Sequence, residues 1–290
     1  MQRPSSTAAL LLLALSSCAA TSSDDEIASV DALRASLSFC ATYDAGVDAD
    51  LARGDARLFT APSYRQQSEA AAGLGAPGVV LAPDAGRSGG ALHFQAQNRT
   101  ALFYSAEGNV PTDGASLDCT FSFWLKLDPD LDLEPGFFDP IQVTDKSYDD
   151  GAVWVDFTKD ETPRRFRMGV FGDKEVWNAE GLETKDHPDY EPRLVAVEEP
   201  PFTREQWTQV TVTVDTGEGY ARLYLNGELQ GTSTRIAEAF TWDMERAAVR
   251  IGLYYVGYFD ELMVFDRALD AAEVRALHGA RPAELMAAVR

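Results

Sequence analysis

From Leu37 onward, apolar and polar residues alternate in short runs separated by turn-forming residues. Over 119–128 (CTFSFWLKLD), Phe121, Phe123, Leu125 and Leu127 fall on one side of a two-residue period and Thr120, Ser122, Trp124 and Lys126 on the other. That is the pattern of a half-buried β-strand. Residues 207–215 (WTQVTVTVD) repeat it, with Val210, Val212 and Val214 set against Thr211 and Thr213, β-branched types that suit a pleated surface. Within 221–231 (ARLYLNGELQG), Asn226-Gly227 predicts a hairpin with a type I′ turn, whose two central positions both need positive φ. Further strands are predicted over 92–96, 141–144, 152–158, 165–171, 249–253 and 259–265. One segment, 270–278 (DAAEVRALH), reads as a helix: Asp270 caps it, Glu273 completes a capping box and Gly279 ends it. Strands about ten residues apart, without βα repeats, predict an all-β fold of two stacked antiparallel sheets with a short C-terminal helix.

Composition adds compartment and partners. The 290 residues are 45% hydrophobic and 24% charged, which suits a globular chain with a sizeable core; no interior linker divides 37–278, so this span is taken as one domain. Forty-six acidic against 25 basic residues give a charge of −21, a field that repels nucleic acid and excludes it as a partner. Residues 1–17 read as an export signal, with Arg3 before a short apolar run. Leu15-Ser16-Ser17-Cys18 resembles a bacterial lipobox, which makes Cys18 a lipidation candidate and a lipid anchor the only membrane contact; an ordinary cleavable signal is the other reading. Either way the chain is expected outside the cytoplasm, in the cell envelope or secreted. The small, acidic stretch over 18–36 reads as a flexible tether and 279–290 as a loose tail. Cys40 and Cys119 then remain in an oxidising compartment, either as a disulfide closing a long loop or as two buried thiols.

Four segments in this order resemble the laminin-G-like, concanavalin A-like jelly-roll domains of bacterial surface proteins. They are Gly89-Gly90-Ala91-Leu92-His93-Phe94, the strand TFSFWLK (120–126), 207–215 leading into Leu223-Tyr224-Leu225-Asn226-Gly227, and YFDELMVFDRALDAAEVRAL (258–277). The resemblance implies a jelly-roll sandwich and, for function, an adhesion or lectin-like module more readily than an enzyme. It also implies a structural calcium ion held by an acidic residue near the first strand and by the closing strand's Asp-Glu pair, with Asp44 and Asp260 as the matching positions.

Catalytic patterns are weak. Gly86-Arg87-Ser88-Gly89-Gly90 spells G-x-S-x-G, but a strand follows it where a nucleophile elbow needs a helix, so it reads as a turn. Retaining glycosidases on jelly rolls set alternate carboxylates along one strand; here no Glu-x-Asp occurs, and Asp132/Glu134, Asp173/Glu175, Asp189/Glu191 and Asp243/Glu245 fall outside convincing strands. His93, His187 and His278 lack metal-ligand spacing. The acidic run Asp128, Asp130, Asp132 offers hard oxygen ligands that suit calcium, although Leu133 and Asp139 break the EF-hand pattern. Sugar binding needs aromatic platforms among polar groups, and Tyr148, Trp154, Trp177 and Tyr190 are the candidates. The expected function is a non-enzymatic module for a glycan or a surface protein; a carbohydrate-active enzyme with an unusual carboxylate pair and a structural envelope protein are the alternatives.

Overall fold

The computed structural model describes residues 23–236 and 239–287. The signal over 1–17, Cys18 and the first residues of the expected tether lie outside the described residues. Two antiparallel sheets form the sandwich. The nine-stranded sheet runs Glu228–Ser233, Tyr220–Leu225, Thr208–Asp215, Cys119–Lys126, Gly257–Phe265, Leu37–Ala41, Leu51–Ala52; Ala91–Phe94 also pairs with Gly257–Phe265 and carries Val79–Ala82. The eight-stranded sheet runs Leu194–Val197, Phe166–Phe171, Ala152–Phe157, Phe138–Thr144, Ala248–Leu253, Ala101–Ser105, Phe59–Ala61, Ala71–Ala72. The two-residue turn joins Leu225 to Glu228, with Asn226 at φ 50° and Gly227 at φ 80°, as the Asn-Gly pair predicts.

The main core lies between the sheets. Phe121, Phe123, Leu125, Val210, Val212 and Val214 meet Ile141, Val143, Val153, Val155, Met168 and Ile251 there, so the alternation assigns the inward faces correctly. The expectation of half-buried strands fails on the nine-stranded sheet. Thr120, Ser122 and Trp124 are also buried, because helices cover that sheet's outer face. Thr120 Oγ1 accepts from the Leu269 amide and donates to the Arg267 carbonyl, and Ser122 meets Gln209 and Thr211, so the polar side of the strand is spent inside the protein.

Three helices form that cover. Ala271–Gly279 carries the expected Asp270/Glu273 capping box. The other two correct the sequence reading. Residues 23–36, taken as tether, include the helix Ser23–Ser36 with Leu33 buried. Residues 279–290, taken as a loose tail, include the helix Pro282–Met286 with Leu285 buried. Leu33, Leu37, Met263, Phe265, Leu277 and Leu285 make a second apolar cluster, and Arg34 Nε donates to the Glu284 carbonyl across it. Both segments are too short and too polar to show a long apolar period, and each buries one leucine, worth about 1.5–3 kcal/mol.

The possible disulfide is also corrected: Cys40 and Cys119 are free and buried. Cys40 points into the helix-covered cluster and Cys119 into the core between the sheets. They lie on opposite faces of one sheet, and the strand Gly257–Phe265 runs between theirs, so no disulfide geometry is within reach. Leu285→Ala is expected to cost about 2–4 kcal/mol in a urea melt of the whole chain; a loss within about 0.5 kcal/mol would mean the C-terminal segment is loose after all.

Candidate functional site

The helices leave the outer face of the eight-stranded sheet for something else. Pleating decides which side chains stand there. In Phe138–Thr144, Phe138, Ile141 and Val143 enter the core, so Asp139, Gln142 and Thr144 point outward; in Ala152–Phe157 the outward set is Ala152, Trp154 and Asp156. Trp154 pairs in register with Gly169. A Cβ at Gly169 would stand 2.2 Å from the indole, so glycine lets the ring lie flat across the neighbouring strand. The indole N–H donates to the Tyr148 carbonyl at 2.7 Å, which fixes the ring's direction.

Trp154 forms one wall of a pocket of about 210 Å³. Tyr190, Tyr148 and Phe137 form the others, with Asp139, Gln142, Asp156, Arg167 and Lys185 between them. The pocket shares Phe137, Asp139, Gln142 and Tyr148 with a trough of about 780 Å³ that runs past Tyr254, Asn98 and Arg99 to Tyr64 and Arg65. That size is in the range of small-ligand sites.

The two acids of the pocket differ in state. Arg167 donates from Nε to Asp156 Oδ1 at 2.9 Å and from Nη2 to Oδ2, a fork that holds both oxygens. Burial raises the pKa of Asp156, and Arg167 opposes the rise. Asp139 is raised well above the ordinary carboxylate range, first by burial and then by the charge of Asp156. Gln142 Nε2 donates to Asp139 Oδ2 at 2.9 Å. Gln142 itself is 5% exposed, and its Oε1 has no hydrogen-bond partner, an omission that costs about 1–3 kcal/mol in a folded chain.

The rim is aromatic. Phe137, Tyr148 and Tyr254 are 42%, 38% and 50% exposed, and they are the exposed aromatic rings among the described residues; all three border the trough. Tyr254 has φ +57°, a left-handed conformation that a bulky residue adopts at a cost of roughly 1–3 kcal/mol. Its amide donates to the Asn98 carbonyl at 2.7 Å, and buried Asn98 is itself anchored through Nδ2 to the Gly252 carbonyl at 2.9 Å.

Of the four aromatic residues singled out from sequence, Tyr148, Trp154 and Tyr190 meet at this pocket. Trp177 does not. Its N–H donates to the Asp149 carbonyl and its ring packs on Phe171 and His187, so it fastens the loop behind the site. Phe137, Asp139, Gln142, Arg167 and Tyr254 escaped the sequence reading. Alternation could have supplied Gln142 and Arg167, which stand out of phase with apolar neighbours; nothing local marks Tyr254.

The calcium candidates are bound to protein groups. Asp44 Oδ1 accepts from the Gly90 amide at 3.0 Å, and Asp260 accepts from the Arg87 and Glu261 amides at 2.7 and 2.8 Å. The glycine-rich turn 86–90 therefore wraps the two carboxylates, which is also why no serine elbow forms there. Asp128 accepts from the Asp130 and Leu131 amides, Asp130 from the Arg164 amide, and Asp132 pairs with Arg204. Among the described residues no three His, Cys, Asp or Glu side chains converge as metal ligands. His278 is stacked on Trp124, where burial and Arg87 lower its pKa.

Residues 105–275 match the family model described as the concanavalin A-like lectin/glucanases superfamily. No curated protein sequence matches the chain. Among solved structures, domain 4 of AbnA, a GH43 extracellular arabinanase from Geobacillus stearothermophilus, in complex with arabinotriose, superposes with TM-score 0.53 at 15% identity, covering 84% of this chain and 98% of that one. The binding domain of botulinum neurotoxin DC in complex with rat synaptotagmin II gives 0.56 at 12%, covering 85% of this chain and 52% of the other. The binding domain of Paraclostridial Mosquitocidal Protein 1 gives 0.50 at 14%, with 85% and 52% covered. This chain therefore spans about half the length of the two toxin domains, and the likeness is one of fold.

Burial, followed by the charges of Glu261 and Asp44, pushes Asp260 up to about 8, against the pull of the Arg87 amide. An unfolded aspartate titrates at about 3.9. Between those values the folded chain holds a proton that the unfolded chain has lost, so this stabilisation is complete below about pH 4 and disappears as pH rises through about 8. In chelator, Asp260→Asn is expected to flatten the fall in Tm between pH 4 and 8 relative to wild type; parallel curves would remove Asp260 from the account.

Proposed function

The chain belongs to the concanavalin A-like lectin/glucanases superfamily, and from that premise we propose that it is a non-enzymatic module binding a glycan along the trough on the eight-stranded sheet. One observation carries the reading: the exposed aromatic rings of the described chain, Phe137, Tyr148 and Tyr254, all border one trough whose floor holds an unpartnered amide oxygen on Gln142. Aromatic faces stack on the C–H faces of sugars, and buried amides and carboxyls take their hydroxyls. A solved neighbour of the same fold holds arabinotriose and another holds synaptotagmin II, so a protein ligand is the second reading; the polar floor favours the glycan.

Hydrolysis needs two carboxyl groups free to work on opposite sides of one bond. Asp156 has both oxygens committed to Arg167, which leaves Asp139 alone and supports binding over catalysis. A purely structural envelope role would suit a closed face better than one with a trough. The module is proposed to act outside the cytoplasm, held to a membrane through lipidated Cys18, on the strength of the sequence over 1–18.

A glycan array on the whole mature chain, run with calcium and with chelator, tests the reading. Single changes Phe137→Ala, Tyr148→Ala and Tyr254→Ala are each expected to weaken binding about tenfold, the loss usual for an interface anchor, without changing Tm by more than about 2 °C. Binding unaffected by all three would move the site elsewhere, and loss in chelator alone would return attention to calcium. Release of sugar from the bound glycan would overturn the non-enzymatic assignment. Cys18→Ala is expected to shift the protein from the membrane fraction to the soluble one.

A further inference from the structure

Resting on the glycan reading of the trough, we propose that the glycan is anionic, its acid groups paired with Arg65, Arg99 and Lys185 while its rings stack on Phe137, Tyr148 and Tyr254. The argument begins with charge distribution. The chain carries 46 acidic and 25 basic residues, yet the trough and its pocket are lined by four bases, Arg65, Arg99, Arg167 and Lys185, and by two acids, Asp139 and Asp156. The overall excess of acid is inverted there.

The pairing inside the site widens the inversion. Arg167 and Asp156 neutralise each other. Asp139 lies against Gln142 and beside the Asp156 charge, an arrangement that favours its neutral form. Arg65, Arg99 and Lys185 are exposed, and among the described residues none of them has a carboxylate within ion-pair distance. Lys185 stands 4.7 Å from the centre of the Phe137 ring, and Arg99 bonds only Gln97 Oε1. Three cations without a carboxylate partner among the described residues therefore sit on a concave surface of a protein whose net charge is negative. A cleft focuses such a local field. Outside it, the −21 charge repels any polyanion that does not dock there, so the same charges set orientation as well as attraction.

The adjoining basin of about 940 Å³ shares Tyr64 and Arg65 with the trough, but its four bases, Arg65, Lys146, Arg246 and Arg250, are matched by Asp55, Asp145, Glu107 and Glu245. It adds no selectivity for anions. Gln142 supplies the independent sign of a ligand: a side chain 5% exposed, lining both trough and pocket, with an acceptor that has no partner among the described residues. Carboxylate or sulfate groups fit the cations on the rim.

Calorimetric titration of the whole mature protein with three probes tests this: oligogalacturonate for carboxylate, heparin oligosaccharide for sulfate, and laminarin oligosaccharide as the neutral chain. The expected result is binding of one charged probe at least tenfold tighter than the neutral one. Its affinity should fall about tenfold or more between 50 and 500 mM NaCl, by the screening of exposed charges. The triple change Arg65→Ala, Arg99→Ala, Lys185→Ala should bring the charged probe down to the neutral level, and Tyr254→Ala should weaken every probe that binds. Whichever charged probe wins identifies the acid group. Equal, salt-independent binding of the neutral chain, lost in Tyr254→Ala, would overturn the anionic assignment and keep the glycan reading. Charged-probe binding that survives Tyr254→Ala would be surface attraction and would also overturn it. No binding of any probe would remove both.

Discussion

Burial of one face of each strand fixes what the other face presents. Ile141 and Val143 cannot leave the core without exposing it, so Gln142 between them has no freedom to turn away from the trough. The same constraint holds Trp154 and Asp156 outward from Val153 and Val155. Gly169 extends the logic across strands, since any side chain there would lift the indole that walls the pocket. Precision at the site is therefore inherited from apolar packing several ångströms beneath it, and the loops supply only the rim.

This explains how much of the molecule was legible from its sequence. The strands, their inward residues and the Asn226-Gly227 turn follow from period and turn chemistry, which are local. Strand spacing predicted two stacked sheets, the resemblance to the jelly-roll family named the sandwich, and the family match bears that out. The helices Ser23–Ser36 and Pro282–Met286 were missed because they are held by tertiary contact, with each other and, for Ser23–Ser36, with Ala271–Gly279, and neither has an apolar period of its own. The cysteine pair failed on one bit of information, the face of the sheet to which each residue points, which counting cysteines does not contain.

The site was legible in part for a similar reason. Tyr148, Trp154 and Tyr190 were chosen for chemical type, and the fold brought them together, but Trp177 has the same chemistry and is spent on the Asp149 carbonyl. The acidic residues divide in a similar way. The run Asp128, Asp130, Asp132 drew attention as a possible ion site, while its carboxylates cap a short helix and meet Arg164 and Arg204. The acids that line the trough and its pocket, Asp139 and Asp156, belong to no sequence motif and lie on neighbouring strands with a bulge between them.

The helical cover has a geometric consequence. The helices Ser23–Ser36 and Pro282–Met286 pack on the outer face of the nine-stranded sheet, and the trough opens on the outer face of the other sheet, with the full thickness of the sandwich between. A chain held by its N-terminal end thus turns its helices toward the point of attachment and its aromatic rim away from it.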